Sequence, residues 1–312
     1  VVHVSNLSKR YGDTVALSGI SFSVKRNEIV GFLGPNAAGK TTTMRIISGF
    51  LPPDTGYVSV GGYRIPGQSI EVRRQIGYLP ENASLYTHLT VRSYLDFMSS
   101  IRDVPSRTRN DAVEMAMKRC GISSVADRPI RSLSRGFRQR VGLAQAIVHD
   151  PPVLILDEPT VGLDPKQIHE VRNLIRDLGS SHTVILSSHI LPEVSAVCDR
   201  VVIIHKGSVV AEDTTSGLVA ELEGALPVTV SIRGHSQEIG AYLASMDRVE
   251  LISMTSTDDN VCTCKLKIPA DGHFRERMAA EIVEKGWGLQ ELSPGGTSLE
   301  DVFLELTRED VT

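Results

Sequence analysis

The sequence predicts an α/β domain built on a largely parallel sheet, followed by a smaller α+β domain. Three observations carry this expectation. Up to about residue 217, short apolar runs of strand length alternate with helical patterns. A Gly-rich turn, Gly34 to Thr41, stands between an apolar run and a helical one. Beyond Pro227 the pattern becomes smaller and regular, in the order β-α-β-β-α-β. The length of 312 residues suits about two domains.

In chain order, Glu28 to Leu33 reads as a strand that enters the turn, and Lys40 to Phe50 as the helix that leaves it. From Leu85 to Arg131 the pattern is helical and strand-poor. Leu89, Tyr94, Leu95, Met98 and Ile101 fall near helical spacing there. A helical subdomain over about residues 85–135 is therefore expected within a first domain of residues 1–217. Phe137 to Val148 reads as a further helix. Val153 to Leu156, Thr183 to Ser187 and Val201 to Ile204 read as buried strands.

The domain boundary is expected between Gly217 and Pro227, where Glu221, Glu223 and Gly224 interrupt the pattern. In the second domain, residues 225–312, Val228, Val230 and Ile232 alternate as a half-buried strand. A helix to Met246, strands Val249 to Met254 and Val261 to Ile268, a helix Phe274 to Lys285 and a strand Trp287 to Leu292 follow. That order is the one a ferredoxin-like sandwich uses. Thr297 with Glu300 reads as a capping box. Leu299, Val302, Phe303 and Leu306 give a terminal helix one apolar face.

Composition narrows the function classes. Hydrophobic residues at 41% and charged residues at 22% are the mix of an ordinary globular chain with material for a core. A net charge of −4 argues against nucleic-acid binding through bulk positive charge. Cys120, Cys198, Cys262 and Cys264 are too few and scattered for a disulfide framework, which fits a reducing compartment. Cys262 and Cys264 have the spacing of a metal-binding pair. They share a strand face with Leu266 and Ile268, so buried thiols are expected instead. Cys198 lacks the third member that a thiol nucleophile beside His189 would need. No apolar run approaches the roughly 20 residues that span a bilayer, and no basic-then-apolar leader is visible. A membrane component is expected from another protein.

The chemistry begins with Gly34-Pro-Asn36-Ala37-Ala38-Gly39-Lys40-Thr41, which fits G-x-x-x-x-G-K-[ST] in full. Small side chains let backbone N–H groups approach phosphate oxygens. The helix that follows, with Thr42 in its first turn, aims its positive end at the same phosphates. Lys40 adds a charge for the β- and γ-phosphates, and the Thr41 hydroxyl can ligate magnesium. The Ala37 methyl disfavours a positive φ. Leu154-Ile155-Leu156-Asp157-Glu158 is an apolar strand that ends in two acids at the sheet edge. Asp157 is expected to hold magnesium, and Glu158 to accept a proton from attacking water.

Further motifs fall in an order that resembles the ATP-binding subunit of an ABC transporter. Tyr11, in Ser8-Lys-Arg-Tyr11-Gly12, stands where that family stacks an aromatic ring on adenine, with Val15 close behind. Glu81, in Gly77-Tyr-Leu-Pro-Glu81, takes the place of the more usual Gln near magnesium. Leu133-Ser134-Arg135-Gly136-Phe137 resembles the signature LSGGQ, with Arg135 and Phe137 as departures. Gly162-Leu163-Asp164 matches the D-loop, and His189 the switch histidine. Alone, Ser134 reads as an N-cap and His189 as a core or capping histidine.

The resemblance implies an ATPase that uses ATP and Mg2+. It implies a dimer in which Ser134 and Gly136 face the γ-phosphate held by a second copy. Arg135 either reaches that phosphate or is solvated. A solvated helix face is also expected for Arg138 and Arg140. The resemblance further implies a subunit on the cytoplasmic face of the cell membrane, paired with a permease. Gly77 to Asn82, Leu133 to Arg140 and Ser187 to Glu193 are similar to ATPases that pair with type 2 ABC permeases, commonly exporters. Residues Leu85 to Ile101 are the expected permease contact. The alternative is a soluble ABC ATPase acting on a ribosome, DNA or a protein complex. Such proteins commonly carry two cassettes or a long coiled-coil insertion, and this chain has neither. The absence of an N-K-x-D motif disfavours a GTPase.

Overall fold

The computed structural model describes residues 1–215, 217–218, 225–257, 260–269, 272–294 and 303. It divides into two compact units, Val1–Thr215 and Ser216–Thr312.

The first unit opens with β1 (Val2–Tyr11), β2 (Thr14–Val24), β3 (Ile29–Leu33), α1 (Lys40–Ile47), β4 (Thr55–Val60), β5 (Tyr63–Ile65), α2 (Ser69–Arg74) and β6 (Ile76–Leu79). The helical segment holds α3 (Val91–Ile101) and α4 (Ser106–Arg119). It leads into α5 (Arg135–Ile147), β7 (Val153–Asp157), α6 (Pro165–Gly179), β8 (Thr183–Ser188), α7 (Leu191–Ser195), β9 (Arg200–His205) and β10 (Ser208–Thr214).

One sheet has the order β10-β9-β3-β8-β7-β6. Its pairs are parallel except at the edge strand β10. Strands β3, β7 and β8 are buried throughout, as continuous apolar runs covered on both faces must be. A second sheet, order β2-β1-β4-β5, is antiparallel. Sequence reading passed over it, although Ile20-Ser-Phe22-Ser-Val24 and Val58-Ser-Val60 alternate with period two. Phe22, Val24 and Val58 of that sheet join Val30, Phe32 and Met44 in one core.

Two helix ends differ from expectation. The phosphate-loop helix stops at Ile47 rather than Phe50, because Gly49 takes φ 74°. Helix α5 begins two residues earlier than expected, because Ser134 caps it by accepting from Phe137 N at 3.4 Å. Helix α3 starts on Thr90, whose hydroxyl accepts from Ser93 N at 3.2 Å, and it buries Val91, Tyr94 and Leu95.

The second unit contains β11 (Ala225–Arg233), α8 (Ser236–Ser245), β12 (Glu250–Thr257), β13 (Val261–Pro269), α9 (Gly272–Glu284) and β14 (Gly288–Pro294). Its sheet has the order β12-β13-β11-β14, with every pair antiparallel. Val228, Val230 and Ile232 share a core with Cys262, Cys264, Leu266 and Ile268. Ile239 and Leu243 of α8 and Met278 and Ile282 of α9 belong to the same core. The terminal helix expected from Thr297 to Leu306 lies, Phe303 apart, outside the described residues.

Candidate active site

Parallel strands β3, β7 and β8 end side by side, and their C-terminal ends deliver the phosphate loop, the Asp157–Glu158 pair and the segment leading to His189 to one edge. Ligands of open α/β sheets bind at such an edge. A cleft of about 510 Å³ lies there. Its lining includes Asn36, Ala37, Gly39, Lys40, Thr41 and Thr42 of the loop and helix start, with Glu81, Glu158 and His189 opposite.

The loop's backbone is set by two positions. Gly39 takes φ 109°, and a Cβ there would sit 2.7 Å from the Ala16 carbonyl oxygen, so only glycine fits. Ala37 takes φ 64°, the positive value that its methyl opposes. A Cβ-bearing residue in this region carries about 1–2 kcal/mol of strain. Ala38 contributes its methyl to the core, and its N–H donates to Pro35 O at 3.2 Å. Gly34 approaches β9 so closely that a Cβ would meet Ile204 O at 2.4 Å.

Three charged side chains are buried at this edge: Lys40, Asp157 and Glu158. The Lys40 ammonium donates to Gly34 O at 2.8 Å and Pro35 O at 3.2 Å, and lies 3.6 Å from Glu158 Oε1. The other Glu158 oxygen, Oε2, lies 2.9 Å from His189 Nδ1. A carboxylate only accepts, so this contact places the His189 proton on Nδ1. Glu158 itself sits at φ 49°. Its N–H donates to Ser187 Oγ at 3.0 Å and to Ser187 O at 3.2 Å, and these bonds hold the strained turn. Behind it, Thr160 donates to the buried carboxylate of Glu193 and so links the turn after β7 to the short helix after His189.

Asp157 presents one satisfied oxygen and one bare one. Ser187 Oγ donates to Oδ1 at 2.5 Å, whereas buried Oδ2 has no donor. Burial pushes this carboxyl above the usual carboxylate range, against the hydroxyls of Ser187 and Thr41. A bare carboxylate oxygen beside a threonine hydroxyl fits a hard divalent cation that prefers oxygen ligands.

Other expected site residues lie apart from this cleft. Tyr11 and Val15 are half-exposed on the β1–β2 hairpin and are not among the cleft lining, whereas their neighbour Ala16 is. Sequence reasoning missed Ala16 because its backbone, not its side-chain type, meets Gly39. Ser134, Gly136 and Asp164 line a separate cleft of about 700 Å³. Asp164 caps α6 by accepting from Gln167 N at 2.9 Å. Arg135 is surface-exposed, yet its Nη2 donates to Val161 O at 2.9 Å. Arg140 departs from the expected solvated face, since it pairs with Glu170 and reaches Cys120 O at 3.5 Å. The thiols of Cys120 and Cys198 are buried, and burial pushes both up, Cys120 to about 12, which leaves neither as a thiolate.

Known proteins resemble this chain in sequence and in fold. The family model described as ABC transporter matches residues 17–161. The chain is 31% identical to the linearmycin resistance ATP-binding protein LnrL of Bacillus subtilis (strain 168), over 98% of each chain. It is 32% identical to the Nod factor export ATP-binding protein I of Ralstonia nicotianae, over 100% of this chain and 95% of that one. Among solved structures, cbiO1 from Clostridium perfringens, part of the ABC transporter complex cbiONQ, is 31% identical with a TM-score of 0.65. That likeness covers 72% of this chain and 92% of cbiO1. The cassette MJ0796, solved as a dimer after hydrolysis with ADP and Pi, shares the fold at 24% identity and a TM-score of 0.62, over 69% of this chain and 98% of that one.

Proposed function

We propose, from the premise that this chain belongs to the ABC transporter family, that it is the ATP-hydrolysing subunit of an exporter and drives a separate membrane permease. The observation that carries this reading is the convergence of Lys40, Glu158 and His189 at one sheet edge, with Glu158 within 3.6 Å of Lys40 and 2.9 Å of His189. Lys40 is assigned to the β- and γ-phosphates. On ATP binding it exchanges the Gly34 and Pro35 carbonyls for phosphate oxygens, and this frees Glu158 to orient and deprotonate water. His189 holds Glu158 through Nδ1 and leaves Nε2 for the γ-phosphate. Thr41, Asp157 and Glu81 are assigned to Mg2+, which when bound neutralises phosphate charge. Tyr11 and Val15 are assigned to the adenine. Ser134, Gly136 and Asp164 are assigned to the ATP held by a second copy, in a head-to-tail sandwich.

A groove of about 480 Å³ supports the permease reading, at the place where residues 85–101 were expected to make contact. Phe50, Tyr78, Leu85, Tyr86 and Tyr94 line it. Phe50, Tyr86, Phe97 and Ile101 are exposed large apolar side chains near it in sequence. Such exposure marks interaction sites. Among the described residues, no helix is long and apolar enough to cross a membrane. The likeness to ATP-binding proteins of export systems supports a peripheral subunit on the cytoplasmic face. The β-α-β-β-α-β order of the second unit supports a ferredoxin-like accessory domain.

The test is affinity capture of the tagged chain from detergent-solubilised membranes and from ribosome-rich extract. Recovery of a polytopic membrane protein, lost on Tyr86→Asp, is expected. Recovery of ribosomes or DNA instead would overturn the reading.

A further inference from the structure

Arg135 is placed oddly for a residue beside a phosphate-binding signature. Its Nη2 donates to Val161 O at 2.9 Å, within its own chain. The guanidinium also packs against Gly162, where a Cβ would meet Cζ at 2.2 Å, Nη1 at 2.3 Å and Nη2 at 2.4 Å. Gly162 takes φ 72°, which favours glycine, and any Cβ there would have to push the guanidinium aside. The segment so gripped is short and shared between two clefts. Val161 lines the cleft that holds Lys40 and Glu158, and its N–H returns to Glu158 O at 3.3 Å. Asp164, three residues on, lines the cleft that holds Ser134 and Gly136. A planar, permanently charged fork can hold a carbonyl and cover a bare Cα at once, and an ammonium cannot do both.

We infer that Arg135 is a positioning residue: it ties the start of α5 to the Val161–Asp164 loop, so that a phosphate seated on Ser134 and Gly136 is felt at the chain's own catalytic edge. The inference rests on the sandwich reading above. It assigns Arg135 to this chain's loop rather than to the second copy's phosphate. Occupancy of one cleft then alters Glu158 in the other through a path of four bonded or touching groups: Ser134–Arg135, Val161 O, Val161 N and Glu158 O. Coupling of this kind is a free energy between two sites, commonly worth about 5–150-fold.

The test uses the full chain, with steady-state ATPase rates, nucleotide affinity and light scattering. Arg135→Ala should lower kcat by about five-fold or more while the affinity of the chain's own cleft for ATP stays unchanged. Arg135→Lys should recover part of the rate, since it restores a donor to Val161 O without covering Gly162. Gly162→Ala should reproduce the loss, because its methyl displaces the guanidinium. The double variant should then be no slower than the slower single variant. Introduced into Glu158→Gln, Arg135→Ala should leave the ATP-driven dimer intact. Independent, multiplying losses in the double variant, or an unchanged kcat in Arg135→Ala, overturn the inference and leave the sandwich standing. Loss of the dimer in Arg135→Ala/Glu158→Gln assigns Arg135 to the second copy's phosphate and also overturns it. Absence of a dimer in Glu158→Gln itself overturns the sandwich, and the inference with it. Thermal melting of each variant separates these outcomes from misfolding.

Discussion

The catalytic edge of the first unit and the core of the second are built to opposite rules. At the edge, Lys40, Asp157 and Glu158 are buried charges, Ala37 and Glu158 sit at positive φ, and Asp157 Oδ2 has no donor. In the second unit the buried cluster is apolar side chains and two thiols, with Cys264 pushed up to about 11 by burial and therefore un-ionised. Buried charge and strained backbone are each unfavourable without a partner. The gathering of buried charge at one edge shows where stability has been exchanged for ligand chemistry. Among its described residues, the second unit buries no charged side chain.

That contrast can be broken most forcefully at Glu158. Glu158→Gln should retain ATP binding and lose about 10²–10⁴-fold in turnover, as loss of a general base does. Near-normal hydrolysis in single-turnover assays would remove Glu158 from the role of base. Asp157→Asn is the next largest change and acts in two directions. Turnover should fall by about 10²-fold or more, as when a preorganised charge is removed. The nucleotide-free chain should meanwhile melt at a higher temperature. The sign follows from the raised pKa. The folded chain binds this proton more tightly than the unfolded chain, so the ionised group costs stability at neutral pH. That cost fades as pH falls through the folded value, and Asn removes both the cost and its pH dependence. A lower melting temperature in calorimetry would show that Asp157 is not under strain.

Cys264→Ser tests the other side of the comparison. It puts a hydroxyl without a partner into an apolar core and should cost the second unit about 1–3 kcal/mol. ATPase turnover should not change. A parallel fall in turnover would make the second unit part of the catalytic apparatus. The smallest effect is expected at Ala37. Ala37→Gly relieves the positive φ but adds unfolded-state entropy, for a net gain of about 0.5–1 kcal/mol in a urea midpoint. A loss would show that the loop tolerates its alanine without strain.

How much of the site was legible depended on how far apart its parts lie in sequence. Residues 29–41 carry strand, turn and helix start in one continuous run, and the structure folds them together. Asp157 and Glu158 follow an apolar run and end a buried strand, as such a run must. The antiparallel sheet carries an equally plain period of two in Ile20 to Val24 and Val58 to Val60. Nothing local could reveal Ala16 against Gly39, Ser187 against Asp157 or Thr160 against Glu193, because each contact spans a loop closure.

The sequence by itself determined the α/β pattern, the phosphate loop and the charged groups offered to phosphate, metal and water. Motif spacing constrains such features because they depend on backbone period and side-chain type. Tertiary structure alone decided which oxygen of Asp157 is bare, which face of His189 meets Glu158, and that Arg135 grips its own loop. It also decided that Ala37 adopts a positive φ. Each of these is set by distance and angle between segments joined only by folding, and a residue's type does not encode where its neighbour's carbonyl will point.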